Sequence, residues 1–190
     1  MSQPRIGIVV GSTRPGRKSE AVAQWALRLA STRTDATFEL IDLADHPLPL
    51  LDEPIPPSAG RYRQDHTRTW ASVIAGFDGF VFVTPEYNHS ISAVLKNSLD
   101  YLFAEWNNKA VGFISYGSSG GVRAVEQLRC MVGELMMADV RVAVALPFAS
   151  EFTDFREFTP GDHIVPILHT MLDQVVAWTS ALATVRTPTS

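Results

Sequence analysis

The chain carries a single cysteine, Cys130, so no disulfide can form within it. Lying among Leu128, Met131 and Val132, that thiol reads as a small buried hydrophobe. No stretch approaches the ~20 consecutive apolar residues of a membrane span, and Met1 to Arg5 shows no signal-peptide pattern. A cytoplasmic protein with no membrane partner is the expectation. The histidines His46, His66, His89, His163 and His169 have neither H-x-x-x-H spacing nor a cysteine partner, which argues against a metal site. Basic charge is also scarce: 16 lysines and arginines face 20 acidic residues. A net charge of -4 with a pI near 5.7 leaves no nucleic-acid footprint. There is no Ser/His/Asp or paired-carboxylate constellation, no internal repeat, no low-complexity tract and no linker. What remains is a chain of 190 residues, 46% hydrophobic, read as one globular domain over 1–190.

The most informative stretch is Arg5 to Ser19. Ile6 to Val10 is a continuous apolar run stopped by Gly11, the pattern of an inner parallel strand. The loop after it offers the Ser12, Thr13 and Ser19 hydroxyls and the Arg14, Arg17 and Lys18 cations at the mouth of a helix. Backbone N–H groups and the helix dipole favour an anion there. The blander reading makes Ser19 a plain helix cap and the cations a solvated face. A triphosphate loop, G-x-x-x-x-G-K-[ST], is nearly spelled from Gly11, but Arg17 stands where the lysine belongs, with Lys18 and Ser19 one place late. The dinucleotide pattern G-x-G-x-x-G fails at Thr13. A monophosphate cradle fits better than either.

Val22, Trp25, Ala26 and Leu29 then mark an amphipathic helix, and Thr37 to Asp42 a second strand. Leu43 to Gly60 holds five prolines among leucines. It reads as an ordered surface loop that roofs a site or meets another subunit. A helix is expected over Tyr62–Phe77, a strand over Gly79–Val83, a second informative loop over Thr84–Ser90, and a helix from Ile91 to about Phe103. Ala110–Ser115 is a fourth strand, followed by the glycine-serine loop Tyr116–Gly121, which lets backbone approach a ligand. A helix carrying Val122, Val125, Leu128, Val132 and Leu135 follows, then a strand over Val140–Leu146 and the Phe-rich segment Phe148–Phe158. The last helix starts near an Asp162 cap, with Ile164, Ile167 and Leu168 among its core residues.

Five strands alternating with helices call for a parallel sheet covered on both faces, an α/β three-layer αβα sandwich. With the order 2-1-3-4-5, the loops starting at Gly11, Thr84 and Tyr116 converge at the carboxyl rim, where doubly wound sheets bind ligands. A phosphate would lie in the first loop and a flat heterocycle between the other two. Pro85, Glu86, Tyr87 and Asn88 would border one side, and Ser115, Tyr116, Gly117, Ser118 and Gly121 the other. FMN has this shape and charge. Glu86, the one carboxylate in these loops, reads as a helix-edge or subunit-bridging ion pair rather than a general base, and no catalytic side chain is assigned.

The segments GSTRPGR, TPEYNHSISAVLKNSLDYLFAEW and SYGSSGG resemble the NADPH-dependent FMN reductase family of flavodoxin-like proteins, which includes quinone, azo-dye and chromate reductases. The resemblance covers roughly Arg5 to Leu146. It implies that Ser12, Arg14, Arg17 and Ser19 hold the FMN phosphate, while Pro85 to Asn88 and Tyr116, Gly117, Ser118 and Gly121 enclose the ring. It further implies NADPH or NADH as donor, a small-molecule electron acceptor, and a homodimer, in some members a tetramer, packed through the helix after the second loop. The aromatics Tyr101, Phe103 and Trp106 at the end of that helix are expected in the interface. The expected function is two-electron transfer from nicotinamide through FMN to a flavin, quinone or similar flat acceptor by ping-pong. The alternatives are a flavodoxin-type carrier, for which the charge is mild, and a phosphotransferase, which lacks an evident aspartate for Mg²⁺.

Overall fold

In the computed structural model, residues 3–186 are described. The strands β1 (Arg5–Val10), β2 (Thr37–Asp42), β3 (Gly79–Pro85), β4 (Ala110–Gly117) and β5 (Ala138–Pro147) form one parallel sheet in the order β2-β1-β3-β4-β5. β1, β3 and β4 lie inside it. They are buried almost without interruption, which is why they read as unbroken apolar runs.

Helices α1 (Ser19–Ala30) and α6 (Ile164–Arg186) cover one face, burying Val22, Trp25, Leu168 and Leu172 against Ile8, Val81 and Ile114. On the other face lie α2 (Asp65–Ala75), α3 (Ala93–Asp100) and α4 (Val122–Glu134), which bury Trp70, Ile74, Leu95, Leu99 and Leu128 against Phe80, Phe82 and Phe113. None of the described helices is long and apolar enough to cross a membrane. The Phe-rich segment becomes a one-turn helix α5 (Phe148–Glu151) and a hairpin of β6 (Phe152–Thr153) and β7 (Glu157–Phe158).

Several expectations need correction. Tyr101 and Trp106 are buried within their own chain, and Phe103 is half-buried. Trp106 packs edge-on to Phe80 at 5.0 Å, and the Tyr101 hydroxyl donates to Pro49 O at 3.1 Å and accompanies the Asp52 carboxylate at 3.0 Å. Tyr101 fastens the proline-rich loop to the end of α3, Trp106 fills the core beside Phe80, and neither needs a second subunit. Lys96 and Asp100 are an i,i+4 ion pair of α3. Cys130 is exposed, because it stands about 200° around α4 from buried Leu128. Val122 and Ile167 are likewise partly exposed, at 46% and 39%. The helices expected from Tyr62 and Ile91 start later, at Asp65 and Ala93, the second behind Ser92, whose Oγ accepts from Leu95 N at 3.2 Å.

Candidate functional site

The carboxyl ends of β1, β3 and β4 are neighbours, and the segments leaving them meet around a cleft of ≈ 370 Å³. That volume is ordinary for a small-ligand site. Close approach at the floor is secured by Gly11, where a Cβ would fall 2.5 Å from Val83 O.

The first wall is a turn and a helix mouth. Arg17 N donates to Arg14 O at 3.0 Å across Pro15 and Gly16, with Gly16 at φ 70, the positive φ that a type II turn requires at its third position. α1 follows at once, and no side chain caps its first turn. Arg17 is tied down: one guanidinium nitrogen donates to Asp42 at 3.0 Å and to Ser12 O at 3.1 Å, and the other donates to Asp42 at 2.5 Å. Its charge is therefore matched inside the loop. The side chains of Arg14 and Lys18 have no hydrogen bond or ion pair among the described residues, so the uncommitted positive charge is theirs.

The second wall is the turn Tyr87–Ser90. Tyr87 N donates to Ser90 O at 2.8 Å and Ser90 N to Tyr87 O at 3.0 Å, with Asn88 at φ 50 and His89 at φ 67. Two left-handed residues in succession define the tight I′ geometry, for which Asn suits the first place and Gly, not His, the second. Helix α4 holds this turn. Gln127 Nε2 donates to His89 O at 2.7 Å, and Ser90 Oγ donates to Gln127 Oε1 at 2.5 Å. Arg123 donates from Nε to Glu86 Oε1 at 2.5 Å and from its backbone N–H to Oε2 at 3.2 Å. The Glu86 side chain is only 6% exposed, and it serves as the anion at the α4 amino end. It is thus a helix-edge ion pair, not a free base.

The third segment leaves β4 through Tyr116. Ser115 Oγ donates to Gly120 O at 2.7 Å, which shapes the glycine turn from beneath and keeps that hydroxyl from a ligand. Gly120 and Gly121 have φ 72 and 77, and a Cβ on Gly121 would meet Ser115 Cβ at 2.7 Å. Behind the first wall, Ser19 Oγ and Tyr116 Oη are buried without a hydrogen-bond partner. Ser19 is close enough to influence the phenol, yet the pair lacks regular hydrogen-bond geometry. Burial holds the Tyr116 phenol above its ordinary value, so it stays protonated.

Of the expected residues, Arg14, Arg17, Lys18, Pro85, Glu86, Tyr87 and Tyr116 line the cleft directly. Ser12 lies buried behind it with Oγ 3.1 Å from Tyr87 Oη, and Ser19 and Ser115 are buried too. Gly117 and Gly121 shape the third segment, whereas Thr13, Asn88 and Ser118 are exposed outside the lining. Sequence reasoning missed Asp42, Arg123 and Gln127, as well as Phe148 and Phe155, which complete the lining. Only the phenylalanine spacing signalled any of these.

The family model described as NADPH-dependent FMN reductase matches residues 4–151. A NAD(P)H-dependent FMN reductase of Schizosaccharomyces pombe is 44% identical over 146 residues, covering 76% of this chain and 72% of that protein. An FMN-dependent NADPH-azoreductase of Staphylococcus saprophyticus is 31% identical over 160 residues, covering 82% and 81%. Among solved structures, the flavoenzyme NAD(P)H:(acceptor) oxidoreductase FerB of Paracoccus denitrificans superposes with a TM-score of 0.73 at 19% identity, over 94% of this chain and 98% of that one, a likeness of fold. The flavodoxin-like sheet order, the three-walled cleft at its switch point and these matches lead to one conclusion: the chain belongs to the NADPH-dependent FMN reductase family of oxidoreductases, whose cofactors are FMN and NAD(P)H.

Proposed function

We propose that this chain binds FMN in the cleft and passes two electrons from NADPH or NADH to a flavin, quinone or similar flat acceptor by a ping-pong scheme, as a cytoplasmic homodimer. The observation that carries the reading is the mouth of α1. An uncapped helix start, the unpaired Arg14 and Lys18 side chains and the unpartnered Ser19 hydroxyl lie together at the sheet's switch point. These groups fit a phosphate, and the aromatic rim of Tyr87 and Tyr116 fits a flat ring system.

In this assignment Lys18, Arg14 and the α1 amides hold the phosphate, with Ser12, Thr13 and Ser19 as hydroxyl partners, and Arg17 pins the loop to Asp42. Pro85, Glu86, Tyr87 and Asn88 border one side of the ring, and Tyr116, Gly117, Ser118 and Gly121 the other. When bound, FMN supplies the redox chemistry, so donor and acceptor use one face in turn. The protein's part is to bind, orient and exclude water, which requires no nucleophile and no general base. Tyr116 keeps its proton and can donate it in a hydrogen bond. Glu86, bonded to Arg123, holds the second wall.

Leu50, 83% exposed, and Leu51, 42% exposed, sit beside α3 through the Leu51 N to Asn97 Oδ1 bond at 3.0 Å, and offer the apolar surface for a second copy. Light scattering on dilution checks the dimer; a fully active monomer at micromolar concentration would count against it. The function itself is tested by the visible spectrum of the purified protein, before and after NADPH under nitrogen. A yellow protein that bleaches and recovers its colour with a quinone is expected. A yellow protein that does not bleach points to a carrier, and failure to take up added FMN removes the reading.

A further inference from the structure

The β6–β7 hairpin lies beyond residue 151, where the family match ends. Its base is rigid. Phe152 is buried and packs against Phe148 at 5.0 Å, Phe158 at 5.1 Å and Tyr116 at 6.2 Å, while Phe158 meets Trp25 edge-on at 5.6 Å. The buried Glu151 accepts from Gly161 N at 2.9 Å, and its own carbonyl accepts from Thr159 N at 3.0 Å. The tip is different. Arg156 N donates to Thr153 O at 2.9 Å, closing a two-residue turn with Asp154 at φ 50 and Phe155 at φ 56. Asp tolerates that conformation, but a bulky side chain in the second place, where Gly is favoured, is strained. Phe155 is also 65% exposed, so it gains little from packing. Neither turn chemistry nor the core explains an aromatic there, yet it lines the cleft together with Tyr87, Tyr116 and Phe148.

We infer that Phe155 is the specificity-determining residue for the electron acceptor, stacking on a planar aromatic molecule and holding it in the cleft. This rests on the proposed function and adds to it the residue that selects the flat acceptor. The overall reaction for a quinone balances as quinone + NADPH + H⁺ → hydroquinone + NADP⁺: two electrons and a proton come from the nicotinamide as hydride and the second proton from solvent. The strained, outward aromatic is consistent with backbone strain kept for a ligand rather than for stability.

The test uses the FMN-loaded full chain and two kinds of readout. Calorimetric titration compares 2-naphthoate with cyclohexanecarboxylate, which has the same charge but no flat ring, and steady-state kinetics with NADPH gives the KM for menadione. An aromatic stack contributes enough that Phe155→Gly should weaken 2-naphthoate roughly 3- to 10-fold and raise the menadione KM by a similar factor. Cyclohexanecarboxylate should change by less than about twofold, and Phe155→Tyr should restore both values. Glycine suits the turn, so loss of fold does not obscure the result. Equal weakening of both carboxylates, or no change in either, overturns the inference while leaving the flavoenzyme reading intact. A wild-type chain that takes up no FMN removes that reading and the inference with it.

Discussion

The two ends of the sheet differ in a way that identifies the site. At the amino end, Ala75, Glu105, Asn107, Lys109 and Arg186 line a hollow of ≈ 470 Å³, larger than the cleft at the carboxyl rim. Lys109 there is buried, and desolvation first, then Arg186, pulls its ammonium down to about 8. Cavity size and a perturbed ionisable group would both select that end. Its polar groups, however, are provided for. Lys109 Nζ donates to Ile74 O at 2.9 Å and lies 5.5 Å over the Phe80 ring, and Arg186 pairs with Asp78 at 3.2 Å. Among the described residues, the carboxyl rim keeps two cations, Arg14 and Lys18, without counter-ions beside two buried hydroxyls, Ser19 and Tyr116, without partners, whereas the amino end has one such hydroxyl, Thr179, and its own positive φ at Asn108. Unspent positive charge set beside unspent hydroxyls, rather than backbone strain, distinguishes the rim from a settled packing solution.

The comparison is broken most forcefully at Lys109. Between pH about 8 and 10 the unfolded chain, with lysine near its ordinary 10.5, binds more protons than the folded one, so Lys109 makes stability rise with pH across that window. Below it, the buried charge is a cost. Lys109→Met should therefore raise stability at pH 7 by about 2 kcal/mol, allowing for the lost bond to Ile74 O, and flatten the rise. Thermal melts at pH 7 and pH 10 check this. FMN affinity should not change, and a clear loss of it would move the site to the amino end.

The next test lies within the rim. Lys18→Ala should raise the FMN dissociation constant by roughly 10- to 150-fold, the effect of one charge-assisted hydrogen bond of about 1.5 to 3 kcal/mol. Arg17→Ala should cost less affinity and more stability, because Arg17 is already bonded to Asp42 and Ser12. Fluorescence titration of apoprotein decides the ranking; a larger loss at Arg17 would make it the phosphate ligand, as the family resemblance implies.

Much of this was legible before any coordinates. Buried parallel strands announce themselves as apolar runs, and Gly11, Pro85 and the Tyr116–Gly121 loop mark where three of them end. The remainder depends on pairs far apart in the chain. Asp42 closes an edge strand, and nothing local says that it will neutralise Arg17. Arg123 and Gln127 look like the solvated side of α4 until the Tyr87 turn is seen resting on them. Tyr101 and Trp106 read as interface aromatics, but the proline-rich loop supplies the partner for the Tyr101 hydroxyl, and Trp106 packs on Phe80 and bonds Leu99 O of its own chain. Cys130 was misjudged by its neighbours in sequence, when its angle around the helix decides exposure.

The central claim is that the unspent groups of the carboxyl rim hold the cofactor. Amide hydrogen exchange of the apoprotein, measured with and without FMN, tests this segment by segment. Exchange should slow over residues 12–19, 85–90 and 116–121 and stay unchanged over 104–109. Protection at 104–109, with the three rim segments unaffected, would contradict the account.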